Sequence, residues 1–473
     1  MGLQGQNRGS GEARTAPDRP GPAPRIMLQS DTNTGTKTSG RRFALRSLAA
    51  LCIKCGAAGL SFLMFVALSR SLGDVGFGQF SFAFSLATIL AIVGSIGQRS
   101  VILRFASFYL HEQEDAKARG VLRFSYAIVL SGSIIAALGL ALTAYALPSF
   151  ANQQGFLWSA ALLTVALALA EFQPNPQRAA GSVWIALVPR DILFRLIVIS
   201  VAALAVSGWL PGLNAVTTVL TMSGLLIVLT LAQSFLLPLT NPVRLLRGPA
   251  DFSEKRKWLS ASWGMWGNSV VNAAGRNVAI VILGGLLPAA MVGAVFAAMR
   301  TAMVLELFLM AINIVAAPLL AAQFGRNDHN GAETTCRRIS LMLGLPTLVS
   351  FLIFVLWGDH ILELFGPGYA VVHPELIVIS FGYLVSAFSG PTTQIMEMSG
   401  HERVHFVMLS VTTGLSLAAL PFSVSAWGTM GAAFCISLNL IALNCAAYFY
   451  VFRKTGISSG LVNLSFLAKE PRA

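Results

Sequence analysis

Leu72-Gly73-Asp74-Val75-Gly76-Phe77-Gly78-Gln79-Phe80 is the stretch on which the reading of this chain turns. It lies within residues 68–110, where an apolar run continues to Ile96 and then reaches Arg104-Phe105-Ala106. Adding 215 to each number leads, without a gap, to residues 283–325. Leu68 then meets Leu283, Leu72 meets Leu287, Gly78 meets Gly293, Ala83 meets Ala298 and Ala106 meets Ala321. Further on, Arg123 meets Arg338 and Ser125 meets Ser340. Apolar segments resemble one another by composition, so no single identity carries weight. An ungapped register that keeps a turn glycine and a distant arginine does carry weight. It predicts two related halves, each opening with a helix, a tight turn (residues 73–78 in the first) and a long returning helix.

The chain has 473 residues, 55% hydrophobic and 11% charged, against about a quarter charged in a soluble domain. So few charges cannot cover a water-facing surface. Several runs reach the ~20 apolar residues needed to cross a bilayer, which predicts an all-α integral membrane protein. The net charge of +13 fits basic residues gathered in cytoplasmic loops, and no nucleic-acid partner is expected. Cys52 and Cys55 form the only C-x-x-C among five cysteines. No second pair or histidine completes a tetrahedral set, so neither a metal nor a cofactor is expected.

Residues 1–40 are rich in Gly, Pro, Arg, Ser and Thr and read as a disordered cytoplasmic tail. About twelve spans follow, near 47–69, 78–98, 122–145, 156–177, 186–208, 214–237, 262–285, 290–314, 338–357, 375–396, 404–425 and 430–452. Pro189, Arg190, Asp191 and Arg195 interrupt the fifth. The organisation expected is a six-helix bundle over 41–240, a cytoplasmic linker over 241–261, a second six-helix bundle over 262–455 and a cytoplasmic tail over 456–473. With both termini inside, the inner connections collect Arg119, Arg123, Arg244, Arg247, Lys255, Arg256 and Lys257, whereas the outer ones hold Arg70 and almost nothing else basic. That alternation predicts a multi-pass protein of the bacterial inner membrane with N- and C-termini cytoplasmic. Six spans per half make the repeat parallel. Trp258, Trp263 and Trp266 are expected to anchor the seventh span at the inner interface.

The stretch 72–80, Gly293-x-x-x-Ala297-Ala298-x-Arg300, Pro318, Leu364-Phe365-Gly366-x-Gly368-Tyr369 and Gly428-x-x-Gly431-Ala432-Ala433 occur in this order. Together they resemble the polysaccharide-transporter branch of the multidrug/oligosaccharidyl-lipid/polysaccharide (MOP) exporter superfamily, which includes the O-antigen and exopolysaccharide lipid flippases. The resemblance covers about residues 42–455 and rests on the ordered set, no single motif being specific. It implies two six-helix bundles around a central cavity, the MOP/MATE-like fold. It also implies a lipid-linked oligosaccharide substrate, carried on an isoprenoid pyrophosphate and moved across the bilayer. A polysaccharide polymerase and chain-length proteins are the partners such a pathway would supply. A MATE-type multidrug antiporter shares the fold and would need cavity carboxylates for its cationic cargo. A membrane-embedded glycan polymerase would need a large outer loop, and the outer loops here are short. No Gly-rich phosphate-cradling loop is present, so the chain is expected neither to hydrolyse ATP nor to act as an enzyme.

Charges inside spans are expensive and face cavities or partners. Asn268, Asn272 and Arg276 step by four residues and so share one helical face. Arg300 comes ten residues into the eighth span, roughly 15 Å deep, and Glu306 lies about 9 Å further on and on a different face. Lys54 sits in the inner part of the first span. Arginine stays charged and binds phosphate oxygens through paired hydrogen bonds. Arg276, Arg300 and Lys54, with Asn272, are therefore expected to line a cavity and hold the pyrophosphate that the resemblance implies. The competing reading ties Arg276 or Arg300 to Glu306 in a structural ion pair. Glu306 and Asp191 are the carboxylates expected to couple an ion, although Asp191 between Arg190 and Arg195 also reads as an interfacial anchor. Glu171, beside Pro174 and Pro176, reads as a plain helix terminus, with a place at the border of the inner mouth as the alternative. In the repeat register Ser85 aligns with Arg300, Ala91 with Glu306 and Ser61 with Arg276, so the C-terminal half is expected to dominate the site.

Overall fold

The computed structural model describes residues 36–146, 154–309, 319, 320, 323, 326, 329–456 and 458–460. Every regular element among them is helical. The longest, α1 (Thr36–Gly94), breaks only at Gly73, with φ 67 and ψ 176. That backbone conformation is open to glycine and strained for other residues. The expected turn over 73–78 is therefore one residue long, and Gly76 and Gly78 are already helical. The expected tail over 1–40 lies outside the described residues up to 35. Its last five residues instead belong to α1, since extending a helix costs far less than starting one.

The chain continues through α2 (Asp115–Ala146), α3 (Gln154–Phe172), a run over 183–206 ending in α4 (Phe194–Val206), and α5 (Ala215–Phe235). In the second half come α6 (Lys255–Leu286), α7 (Ala289–Ala302), α8 (His329–Glu363), α9 (His373–Ser389) and α10 (Glu402–Thr455). Among the described residues nine helices are long and apolar enough to cross a membrane. Two of these, Ile53–Gly94 and Glu402–Lys454, have 42 and 53 residues, about twice the length one crossing needs. Each carries a glycine at positive φ, Gly73 and Gly428, and so crosses twice. The run over 183–206, divided by a π-helical turn at Pro189–Leu193, supplies the twelfth. The fold is an all-α, twelve-helix membrane bundle.

Within the first half α2 packs on α3 and α3 on α5, while in the second α9 packs on α8 and α10, and α6 on α10. At the Gly73 end the copies of the repeat meet directly. A Cβ on Gly293 would lie 3.0 Å from the Gly78 amide nitrogen, and one on Gly78 would overlap the Ala289 carbonyl. Small residues permit this backbone approach inside a membrane. Around it Phe77 packs edge-to-face on Phe296 at 5.9 Å and Tyr369 at 6.2 Å, and tilted against Phe365 at 6.1 Å, ring centre to ring centre. The Arg70 guanidinium spans the same end, donating to the Leu364 carbonyl at 2.6 Å and the Glu363 carbonyl at 2.9 Å.

The linker expected over 241–261 is mostly ordered helix. Asn241 caps a short helix, Pro242–Arg247, and α6 begins at Lys255. Arg123 ties this segment to α2 by donating to the Leu245 and Gly248 carbonyls. Trp258 is no interfacial anchor. It is fully buried and its indole donates to the Tyr109 hydroxyl at 2.9 Å, which in turn donates to Glu254 at 2.9 Å. The opening of the expected tail over 456–473 is also packed. The Ser459 carbonyl accepts from Ser340 at 2.7 Å beneath the helix break at Gly390.

Candidate functional site

Below the aromatic end, the first and second halves enclose a lumen of about 830 Å³ that adjoins a smaller chamber of about 430 Å³. Phe84, Arg190, Arg276, Arg300 and Met303 border both. Helical spacing explains the lining. Lys54, Ala58, Ser61, Phe62 and Phe65 recur along one face of α1, and Asn268, Asn272 and Arg276 along one face of α6, as the four-residue step requires.

Arg300 is placed differently from the other lumen cations among the described residues. Its guanidinium lies 4.5 Å from the Phe296 ring centre, 5.1 Å from Phe65 and 5.8 Å from Phe84. Its Nη1 contacts the Met303 sulfur at 3.6 Å. Among the described residues no carboxylate pairs with it. Arginine is weakly hydrated and stacks on aromatic faces, so this cage can hold the charge while leaving the donors other than the one on Met303 uncommitted.

The remaining lumen charges are paired. Arg276 meets Glu306 at 2.9 Å, with 52% and 30% of their side chains exposed. Glu306 therefore does not point to a different face from Arg300, since both line the larger lumen. The cause is the 3₁₀ turn at Met303–Leu305, whose tighter winding adds roughly 20° per residue and swings Glu306 back toward Arg300. Lys54 meets Asp191 at 2.6 Å, and Asp191 accepts again from Arg195 at 3.3 Å. Arg195 also donates to Ser61 at 2.6 Å. Glu171 takes Arg99 at 2.6 Å on one oxygen and Arg190 on the other. It is a lumen residue as well as the end of a helix.

All five charged candidates, Lys54, Asp191, Arg276, Arg300 and Glu306, line the larger lumen. Asn272 lines the smaller chamber. The expectation that the C-terminal half dominates is not met. Lys54, Arg190, Asp191 and Arg195 come from the first half, Lys54 on α1 and the other three within or just after the π-helical turn over Pro189–Leu193. Arg190 and Arg195 were missed as lumen residues because they lie outside the aligned copies, and Arg99 because it follows the apolar run that ends at Ile96. Two signals could have found them: the proline inside a span, and the serine (Ser61) facing Arg276 in the register, which leaves room for another residue's cation.

Counted together, the two chambers hold six cations, Lys54, Arg99, Arg190, Arg195, Arg276 and Arg300, against three carboxylates, Glu171, Asp191 and Glu306. Each carboxylate is already engaged by at least one cation. Such a site carries excess positive charge and suits an anion.

Comparison with known proteins agrees with the fold. A family model described as "Polysaccharide biosynthesis protein" matches residues 45–324, and the MatE model matches residues 269–424. No curated protein sequence matches significantly. Among solved structures, a multidrug resistance MATE family transporter of the MOP superfamily in its inward-facing conformation aligns with TM-score 0.63 at 15% identity, over 87% of this chain and 98% of that one. An outward-facing MATE family transporter aligns with TM-score 0.55 at 13% identity, over 87% and 95%. A MOP superfamily transporter from Pyrococcus furiosus, described as having a binding pocket of reverse polarity, gives TM-score 0.54 at 14% identity, over 87% and 95%. The helical architecture and the match over residues 45–324 place the chain in the polysaccharide biosynthesis protein family, as a multi-pass membrane protein with the fold of the MOP superfamily transporters.

Proposed function

We propose that this exporter moves an isoprenoid-pyrophosphate-linked oligosaccharide across the bacterial cytoplasmic membrane by alternating access, for surface polysaccharide assembly (O-antigen, capsule or exopolysaccharide). Both termini are cytoplasmic and the Gly73 end is external in this reading. The observation that carries it is Arg300, held against three phenylalanine rings without a carboxylate in a lumen already richer in cations than anions. A pyrophosphate entering from the cytoplasmic side is attracted to those donors deep in the lumen. It then competes with Glu306 for Arg276 and with Asp191 for Lys54, so binding loosens contacts within each half. The closed Gly73 end must part for release. A polymerase and chain-length proteins would take up the product. A cationic-drug antiporter needs free lumen carboxylates, and all three here are engaged by arginine or lysine.

The test is Arg300→Ala, alone and with Arg276→Ala, in a strain deleted for the chromosomal copy. Protein level at the membrane is measured beside surface glycan. Export is expected to fall about 100-fold, equivalent to roughly 2.7 kcal/mol, and lipid-linked oligosaccharide should collect on the inner leaflet. Normal surface glycan from the correctly inserted double variant would exclude the reading.

A further inference from the structure

The two chambers differ in chemistry. The two share Phe84, Arg190, Arg276 and Arg300, and the larger one adds Phe65, Lys54, Asp191, Arg195 and Glu306. The smaller one adds Arg99 and Glu171, which bridge to Arg190, and its α6 wall from Asn268 to Ala273 is uncharged and mostly polar. Asn268 and Asn272 are both exposed to it. The Asn272 amide nitrogen donates to the Asn268 carbonyl at 2.9 Å and to Asn268 Oδ1 at 3.1 Å. This arrangement orients the pair and leaves Asn272 Oδ1 as an acceptor and Asn268 Nδ2 as a donor, one helical turn apart. Opposite them Thr88 spends its proton on the Phe84 carbonyl at 2.6 Å, so its hydroxyl oxygen can only accept.

An amide donor beside an amide acceptor matches neighbouring hydroxyls, each of which both gives and takes a hydrogen bond. It offers a pyrophosphate little, because an anion has no proton to give Asn272 Oδ1. A chamber of about 430 Å³ falls in the range of small-molecule sites. Arg276, one turn from Asn272, borders both chambers and so adjoins the anion and whatever is bonded to it. We propose that the smaller chamber is a carbohydrate subsite, in which the Asn268–Asn272 pair binds the hydroxyls of the sugar attached to the pyrophosphate. The assignment rests on the functional reading above and deepens it, since it makes the glycan and not only the anion a recognised part of the cargo.

The test uses the full chain in lipid nanodiscs and three probes: farnesyl pyrophosphate, and its glucosyl and galactosyl pyrophosphate diesters. Wild type should bind at least one sugar-bearing probe about tenfold more tightly than the bare pyrophosphate, the effect of one or two neutral hydrogen bonds. Asn268→Leu/Asn272→Leu should reduce that advantage to less than about twofold, the sugar-bearing probe losing far more affinity than farnesyl pyrophosphate. If the double variant does not elute as a folded species, Asn272→Ala alone should lose about threefold of the advantage. The subsite is overturned if wild type shows no sugar advantage, if the variants keep it, or if they weaken bare pyrophosphate binding equally. Arg300→Ala separates the two claims. If it binds farnesyl pyrophosphate as well as wild type does, the underlying reading fails; if it loses binding while the asparagine variants keep the sugar advantage, only the subsite fails.

Discussion

The two copies of the repeat agree where they touch and differ where they face the lumen. Gly78 and Gly293, equivalent in the register, pack against each other at the Gly73 end. Ser85 and Arg300, also equivalent, have opposite characters: Ser85 is fully buried with its hydroxyl unpartnered, whereas Arg300 sits in the aromatic cage. At the Ser61–Arg276 pair the first half answers indirectly, with Ser61 accepting from Arg195 of another helix. A contact on the repeat axis must suit both copies at once, so it constrains both. A lumen wall needs only the right total charge, and either copy can supply it.

The strongest way to break the comparison is at the shared contact. Gly78→Val places side-chain atoms where the Ala289 backbone lies, and a backbone cannot swing aside as a side chain can. A loss of about 3 kcal/mol or more is expected, read as a large fall in the thermal midpoint of the purified protein. Gly139, with nothing within 4 Å of an added Cβ, is the control. Gly139→Ala in the middle of α2 should be neutral or stabilising by up to about 1 kcal/mol. Equal midpoints for the two variants would show that the glycine contact is incidental.

Next comes the first half's charge cluster. Asp191 has 5% of its side chain exposed and holds both Lys54 and Arg195. Asp191→Asn leaves two cations facing each other. A loss of about 2 kcal/mol is expected, below the range for a fully buried pair because Lys54 keeps 33% of its side chain exposed. Adding Lys54→Met should restore part of it. An added loss in the double variant would mean that Lys54 contributes through packing alone.

This cluster also marks the boundary of what the sequence showed. Twelve spans and the repeat were legible because crossing a bilayer demands long apolar runs and because glycine at Gly73 and Gly428 is chemically conspicuous. The midplane Arg300, the Asn268–Asn272–Arg276 face and the inward charges Lys54, Asp191 and Glu306 were legible because a charge in an apolar run is rare. The convergence of Glu306 with Arg300 was not, because it depends on three residues winding as a 3₁₀ turn. Nor was the role of Arg190 and Glu171, whose pairing bridges helices nineteen positions apart through a π-helical turn and a proline-ended helix. Periodicity assumes a constant 100° step, and both lapses lie where that step changes.

The second half's own pair offers a milder test. Arg276 and Glu306 are half-exposed to the lumen, so Glu306→Gln should alter stability by less than about 1 kcal/mol. It also releases a second arginine beside Arg300, and farnesyl pyrophosphate should bind several-fold more tightly. Weaker binding would show that Glu306 positions Arg276 and does not restrain it.

The smallest effect belongs to the segment joining the copies. Glu254 accepts from Lys257 at 2.9 Å and from the Tyr109 hydroxyl at 2.9 Å. The hydrogen bond from Lys257 holds its carboxyl below the usual range against the opposing pull of desolvation, and the Tyr109 bond adds to the lowering. The folded protein thus keeps Glu254 ionised to lower pH than the unfolded chain does. Its contribution is present above the unfolded carboxylate value, about 4.3, and is lost as pH falls through the lower folded value. The group is close to solvent, so the contribution is under about 1 kcal/mol. Thermal midpoints of wild type and Glu254→Gln should differ slightly at pH 7 and converge as the pH falls below roughly 4. A gap that persists undiminished in acid would mean that the neutral amide fails for a reason other than charge, such as losing the geometry that presents Trp258 to Tyr109.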